Sequence, residues 1–113
     1  MDAKEALPRP ERNHVRFTRT DADNETTLHI IGTLDALTVP EIRACVDTLV
    51  DEGRQDITVD MAEVELIDSS GVAVIVSLYK RVRANGGMVK VIGFTGQPAT
   101  IFKLLRLDRV FSN

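Results

Sequence analysis

Cysteine is nearly missing from this chain. Cys45 is the only one, so no disulfide can close within the chain, and no pair of thiols exists for a zinc site or a dithiol redox motif. That scarcity suits a reducing, cytoplasmic setting. Long apolar runs are missing too. None approaches the roughly 20 residues that cross a bilayer, and residues 1–13 lack the apolar centre of a signal peptide. The sequence therefore reads as a soluble protein that stays where it is made, with no membrane partner. Excess positive charge is also lacking: the net charge of −3 gives no general attraction to nucleic acid, which is excluded as an expected partner. Histidine occurs only at His14 and His29, and no Gly-x-x-x-x-Gly-Lys loop is present, so nucleotide binding by this chain alone is not expected.

What is there is an ordinary globular balance, 43% hydrophobic and 27% charged over 113 residues, which suits one domain with a single core. Residues 1–13 are charged or polar and carry Pro8 and Pro10, so they read as a flexible lead-in to a domain spanning 14–113. Residues 14–18 alternate like a half-buried strand, residues 21–25 form a polar break, and residues 27–32 are rich in β-branched side chains and read as a second strand. Thr38-Val39-Pro40-Glu41 has the Thr-x-x-Glu form of a capping box, which predicts a helix from about Val39. Ile42, Val46, Leu49 and Val50 repeat at helical spacing with Cys45 on the same face as core filling, and Gly53 supplies the stop.

Residues 56–61 read as a third strand. A second helix follows, with Val72, Ile75, Val76, Tyr79 and Val82 in one stripe, cations in its last turns and Asn85-Gly86-Gly87 as its end. Residues 88–93 read as a fourth strand. Gln97-Pro98 opens a third helix whose expected buried face is Ile101, Leu104 and Leu105, and Val110-Phe111 leaves room for a short final strand. The order β-β-α-β-α-β-α makes this an α/β chain with an open sheet and right-handed parallel crossovers.

Within that frame Leu66-Ile67-Asp68-Ser69-Ser70-Gly71 stands just before the apolar run of the second helix. Short polar residues at such a place accept hydrogen bonds from first-turn amides, and a helix N-terminus tolerates an anion. Three readings are open: a plain cap or turn, an anion site, or a serine that receives a phosphate. A nucleophilic-serine enzyme needs a base and an oxyanion hole, and neither histidine nor a Gly-x-Ser-x-Gly motif supplies them, so the chain is not expected to be an enzyme. Asp35 and Asp68 fall at the ends of segments expected along one edge of the sheet. A phosphate on Ser69 about 6 Å from Asp68 meets a repulsion of about 1 to 6 kcal/mol, against about 0.3 to 2 kcal/mol returned by the helix terminus. The free domain should tolerate it, whereas a partner packed over the turn should not.

The chain resembles the STAS-domain anti-sigma factor antagonists over about residues 14–111, through Asp68-Ser69-Ser70-Gly71-Val72 with its apolar helix and Gly86-Gly87, and through Gly32-Thr33-Leu34-Asp35 before the first helix. The resemblance implies the STAS fold, an open four- to five-stranded mixed sheet with helices packed mainly on one face. It implies partner switching: the unphosphorylated antagonist binds an anti-sigma factor with serine kinase activity, phosphorylation on Ser69 ends binding, and a serine phosphatase reverses it. ATP and magnesium belong to the kinase, and no cofactor is expected in this chain. Ser69 is the implied phosphoacceptor with Ser70 the runner-up and a cap, and the implied partner-binding set is Asp35, Thr38, Asp68, Ser69, Ser70, Gly71 and Val72. Many relatives continue into another C-terminal helix. The sheet's last edge is therefore expected to be less covered here, leaving room for a homodimer or a docked partner. A STAS scaffold or subunit module that never cycles is the other implied reading.

Overall fold

In a computed structural model the structure is described for residues 15–111, so the expected lead-in and His14 lie outside the described residues. Strand β1 (Val15–Ala22) runs antiparallel to β2 (Glu25–Leu34), paired from Val15 opposite Gly32 to Ala22 opposite Glu25. The polar break shrinks to Asp23-Asn24. Asp23 takes φ 56, a left-handed conformation that a short polar side chain tolerates in a tight hairpin.

Helix α1 (Val39–Asp51) crosses to β3 (Asp56–Ile67), and α2 (Ser69–Ala84) crosses to β4 (Met88–Ile92). Both crossovers produce parallel pairs, which gives one mixed four-stranded sheet in the order β1-β2-β3-β4. Period-2 alternation sorts its faces. Leu28 and Ile30 of β2, Ile57, Val59 and Met61 of β3, and Val89 and Val91 of β4 are buried on one face, while Thr27, His29, Thr58, Asp60 and Lys90 occupy the more open one. The apolar stripes of α1 (Ile42, Val46, Leu49) and α2 (Val74, Ile75, Leu78, Val82) complete the core, and Arg81 ties the helices together through Asp47 at 2.8 Å. Cys45, Val76 and Tyr79 are only half-buried at the margin of that core.

Three local expectations need correction. The Thr38–Glu41 capping box does not form, because the Thr38 hydroxyl donates to the Thr33 carbonyl at 2.8 Å and accepts the Asp35 N–H at 2.9 Å. The third helix, α3 (Gly96–Leu104), buries Pro98 and Phe102, while Leu104 and Leu105 stay 73% and 54% exposed. Its rotation is set by a chain of edge-on rings, Phe94–Phe102 at 4.9 Å, Phe102–Phe111 at 5.4 Å and Phe111–Tyr79 at 5.7 Å, and these aromatic contacts outweigh a leucine pair. No final strand forms at Val110-Phe111. A 3₁₀ turn (Leu107–Arg109) follows Arg106 at φ 61 and swings Phe111 into the core.

The feature that positions the site is a pair of register shifts between β2 and β3. His29 pairs with Asp60 but Ile31 with Glu63, and Gly32 pairs with Val64 but Thr33 with Leu66, so β3 gains one residue at each step. The strands then finish level, with Leu34 opposite Ile67.

Candidate functional site

Because β2 and β3 are parallel and end together, the residues that follow them, Asp35 and Asp68, emerge at the same end of the sheet, as expected. The Asp68 N–H donates to the Leu34 carbonyl at 3.1 Å and joins the two exits. Asp68 is extended (φ −112, ψ −172) and is the N-cap of α2: its Oδ1 accepts from the Ser70 and Gly71 amides at 2.8 and 3.1 Å, and its Oδ2 accepts from the Ala36 amide at 3.2 Å. One carboxylate thus caps the helix and holds the neighbouring loop. The cap is Asp68 and not Ser70.

Ser69 is the first residue of α2, is exposed, and its hydroxyl has no hydrogen-bond partner among the described residues. Ser70 is half-buried. The hydroxyl of Ser69 is therefore open to a macromolecule, while the Ser70 and Gly71 amides are already taken by Asp68. His29, the histidine within the described residues, pairs its Nε2 with Glu63 at 2.9 Å on the open sheet face.

Gly71 lets α2 approach the strand ends. A Cβ there would lie 2.5 Å from the Leu34 carbonyl oxygen and 2.6 Å from Ile67 Cγ1, distances that side-chain carbons do not tolerate. The expected partner-facing set therefore divides. Asp35, Asp68, Ser69 and Ser70 reach the surface, whereas Gly71 and Val72 are buried supports. Thr38 is also withdrawn: its side chain is 0% exposed and braces the loop from inside, so it presents no hydroxyl to a partner in this conformation. Asp35 shares that bracing, its Oδ1 accepting the Leu37 and Thr38 amides at 3.0 and 3.2 Å.

One residue of the site was not foreseen. The Gln97 side-chain amide pairs with the Ile67 backbone and closes a hollow of about 290 Å³ lined by Thr33, Asp35, Leu66, Ile67, Asp68 and Gln97. In the sequence Gln97 signals only the start of a helix. Its reach across to β3 is visible only once α3 lies beside that strand.

At the other end of the sheet, Arg19 and Arg54 gather Asp21 and Glu52. The Arg19 guanidinium holds both carboxyls below their usual range, and they in turn raise its own pKa. Burial raises the Cys45 thiol.

The chain is similar to known proteins in sequence and in fold. An anti-sigma-B factor antagonist of Staphylococcus aureus is 26% identical over 94 residues, covering 83% of this chain and 87% of the relative. The crystal structure of an anti-sigma factor antagonist from Mycobacterium paratuberculosis matches with a TM-score of 0.81 at 19% identity, over 93% of this chain and 87% of that one. The Bacillus cell fate determinant SpoIIAA in its phosphorylated form matches with a TM-score of 0.72 at 20% identity, over 86% and 89% of the two chains. The family model for the STAS domain matches residues 16–113, and with the fold and the capped corner in place the chain belongs to the STAS domain family.

Proposed function

We propose that this protein is a cytoplasmic, non-enzymatic anti-sigma factor antagonist. It binds an anti-sigma factor with serine kinase activity while Ser69 is unmodified and loses that partner once Ser69 carries a phosphate. The observation that carries the reading is an exposed hydroxyl, unbonded among the described residues, on the first residue of a 16-residue helix, directly after an aspartate that already occupies the Ser70 and Gly71 amides. A phosphate placed there stays outside the domain's own hydrogen bonds and close to the Asp68 carboxylate, so the fold survives and the added charge and bulk fall on whatever covers the corner. The named relatives support the antagonist role, and SpoIIAA, the structural neighbour described in a phosphorylated form, supports modification as its control. ATP and magnesium belong to the partner kinase, and a serine phosphatase restores the free hydroxyl.

The test is to incubate the chain with each purified serine-kinase anti-sigma factor of its source organism and magnesium ATP, then map phosphate by mass spectrometry. One phosphate is expected on Ser69, none on Ser69→Ala, and loss of the complex as it accumulates. Undiminished phosphate on Ser69→Ala removes Ser69 from the role. A complex indifferent to ATP instead favours a constitutive STAS subunit.

A further inference from the structure

Six large apolar side chains remain exposed among the described residues, and two of them, Leu37 at 65% and Leu66 at 48%, stand at the Ser69 corner. Neither exposure is incidental to a loose loop. Leu37 sits in the segment between β2 and α1, where its own N–H is held by Asp35 Oδ1 at 3.0 Å, the following Thr38 is buried, and the preceding Ala36 N–H is held by Asp68. Leu66 is exposed by the second register shift. Strict alternation from buried Val64 would turn Leu66 inward and Ile67 outward, but the extra residue leaves Glu65 and Leu66 both exposed and returns Ile67 to the core. Each leucine is thus held in place by its backbone, Leu37 on a braced turn and Leu66 at a bulge, so burying either loses little conformational freedom.

The segments that carry them are acidic. Residues 31–42 and 63–72, which form the ends of β2 and β3, the segment into α1 and the start of α2, contain no lysine or arginine although the chain has 14 of them, and Arg16 of β1 lies opposite Ile31. They carry five carboxylates: Asp35, Glu41, Glu63, Glu65 and Asp68.

We infer that Leu37 and Leu66 are the apolar anchors of the Ser69 docking face, and that the partner meets them with an apolar patch edged by lysine or arginine. This rests on the antagonist reading above and assigns the contact to residues outside the motif, in place of the buried Thr38 and Val72. It also supplies a reason for release. A phosphate dianion on Ser69 would have to shed water beside an apolar contact.

The probe is the anti-sigma factor that phosphorylates the wild-type chain, titrated calorimetrically with unmodified protein in magnesium ADP. Leu37→Ala and Leu66→Ala are each expected to weaken binding by about tenfold or more, as buried interface anchors do. Leu104→Ala, at a more exposed leucine on α3, is expected to stay within about twofold. Raising the salt concentration is expected to weaken the wild-type complex. All three variants change exposed side chains, and unchanged thermal melts confirm that they fold; Leu37→Ser serves as a second loop variant. Wild-type affinity in both corner variants, or an affinity indifferent to salt, overturns the inference while phosphorylation at Ser69 stands. If no anti-sigma factor binds or phosphorylates the wild type, the underlying antagonist reading falls instead.

Discussion

Gln97 completes the sheet where the strands have run out. Its Nε2 donates to the Ile67 carbonyl at 2.8 Å and its Oε1 accepts the Ile67 N–H at 2.9 Å, so a side-chain amide takes the position that a further residue of β4 would hold. β4 ends at Ile92 while β3 continues to Ile67, and the pairing between them stops at Asp60 opposite Ile92. Gln97 thereby holds the last residue before Asp68, and with it the entry to α2.

Removing that amide should loosen the corner without touching Ser69. Gln97→Ala leaves both backbone groups of Ile67 unpaired in a partly buried place and is expected to destabilise the domain by about 1–3 kcal/mol in urea unfolding. Gln97→Glu keeps the acceptor but loses the donor to the carbonyl, and should fall between wild type and Gln97→Ala.

Asp68 has a measurable structural role apart from any partner. Asp68→Ala removes acceptors from three amides and should cost about 0.5–2 kcal/mol, the range for a lost N-cap. Asp68→Asn, which still offers a capping oxygen, should recover most of it. If both variants unfold at the wild-type urea midpoint, the capping geometry contributes nothing to stability.

Gly71 allows two effects of opposite sign to be separated. Replacing a helical glycine by alanine ordinarily stabilises by about 0.8–1 kcal/mol. Here the new methyl meets the Leu34 carbonyl at 2.5 Å, and Gly71→Ala is expected to destabilise, by about 1–3 kcal/mol, as over-packed sites do. Chemical denaturation gives the sign directly.

The carboxylates paired with Arg19 set an acid limit. Asp21 and Glu52 are depressed below their ordinary values of 3.8 and 4.5, first through hydrogen bonds from Arg19. A carboxyl depressed in the folded state contributes stability that is present above its unfolded pKa and is lost as pH falls through the lower folded value. Thermal melts from neutral pH downward should show wild type losing this contribution below about pH 4.5, where unfolded chains begin to take up protons. Arg19→Ala should lose less on acidification, because only Arg54 is left to pair with those carboxyls.

The element order was legible because the apolar period changes cleanly at each boundary. Two-residue alternation in residues 27–32 and 56–61 gives way to helical spacing after Pro40 and again after Gly71, and the structure has a strand or helix at each of those places. The rotation of α3 was not legible. Pro98 and Phe102 lie four apart, and Ile101, Leu104 and Leu105 also sit at helical spacing, so periodicity offers two faces. The choice between them depends on Phe94, Phe111 and Tyr79, which come from three separate parts of the chain. Thr38 shows the same limit at shorter range. Its sequence context satisfies a capping box, yet the hydroxyl is taken by the Thr33 carbonyl and the Asp35 N–H instead.

By itself the chain's sequence determined the α/β order, the start of α2 and the polar Asp-Ser-Ser-Gly corner, because these follow from local hydrogen-bonding demand and apolar period. Only the tertiary structure decided which of the corner's residues face outward. Two extra residues in β3 bring the strand ends level, close packing draws Thr38, Gly71 and Val72 inside, and the second of the two register shifts turns Leu66 out to the surface. Register and packing depend on what lies across the sheet, and a single stretch of sequence carries no record of its neighbours there.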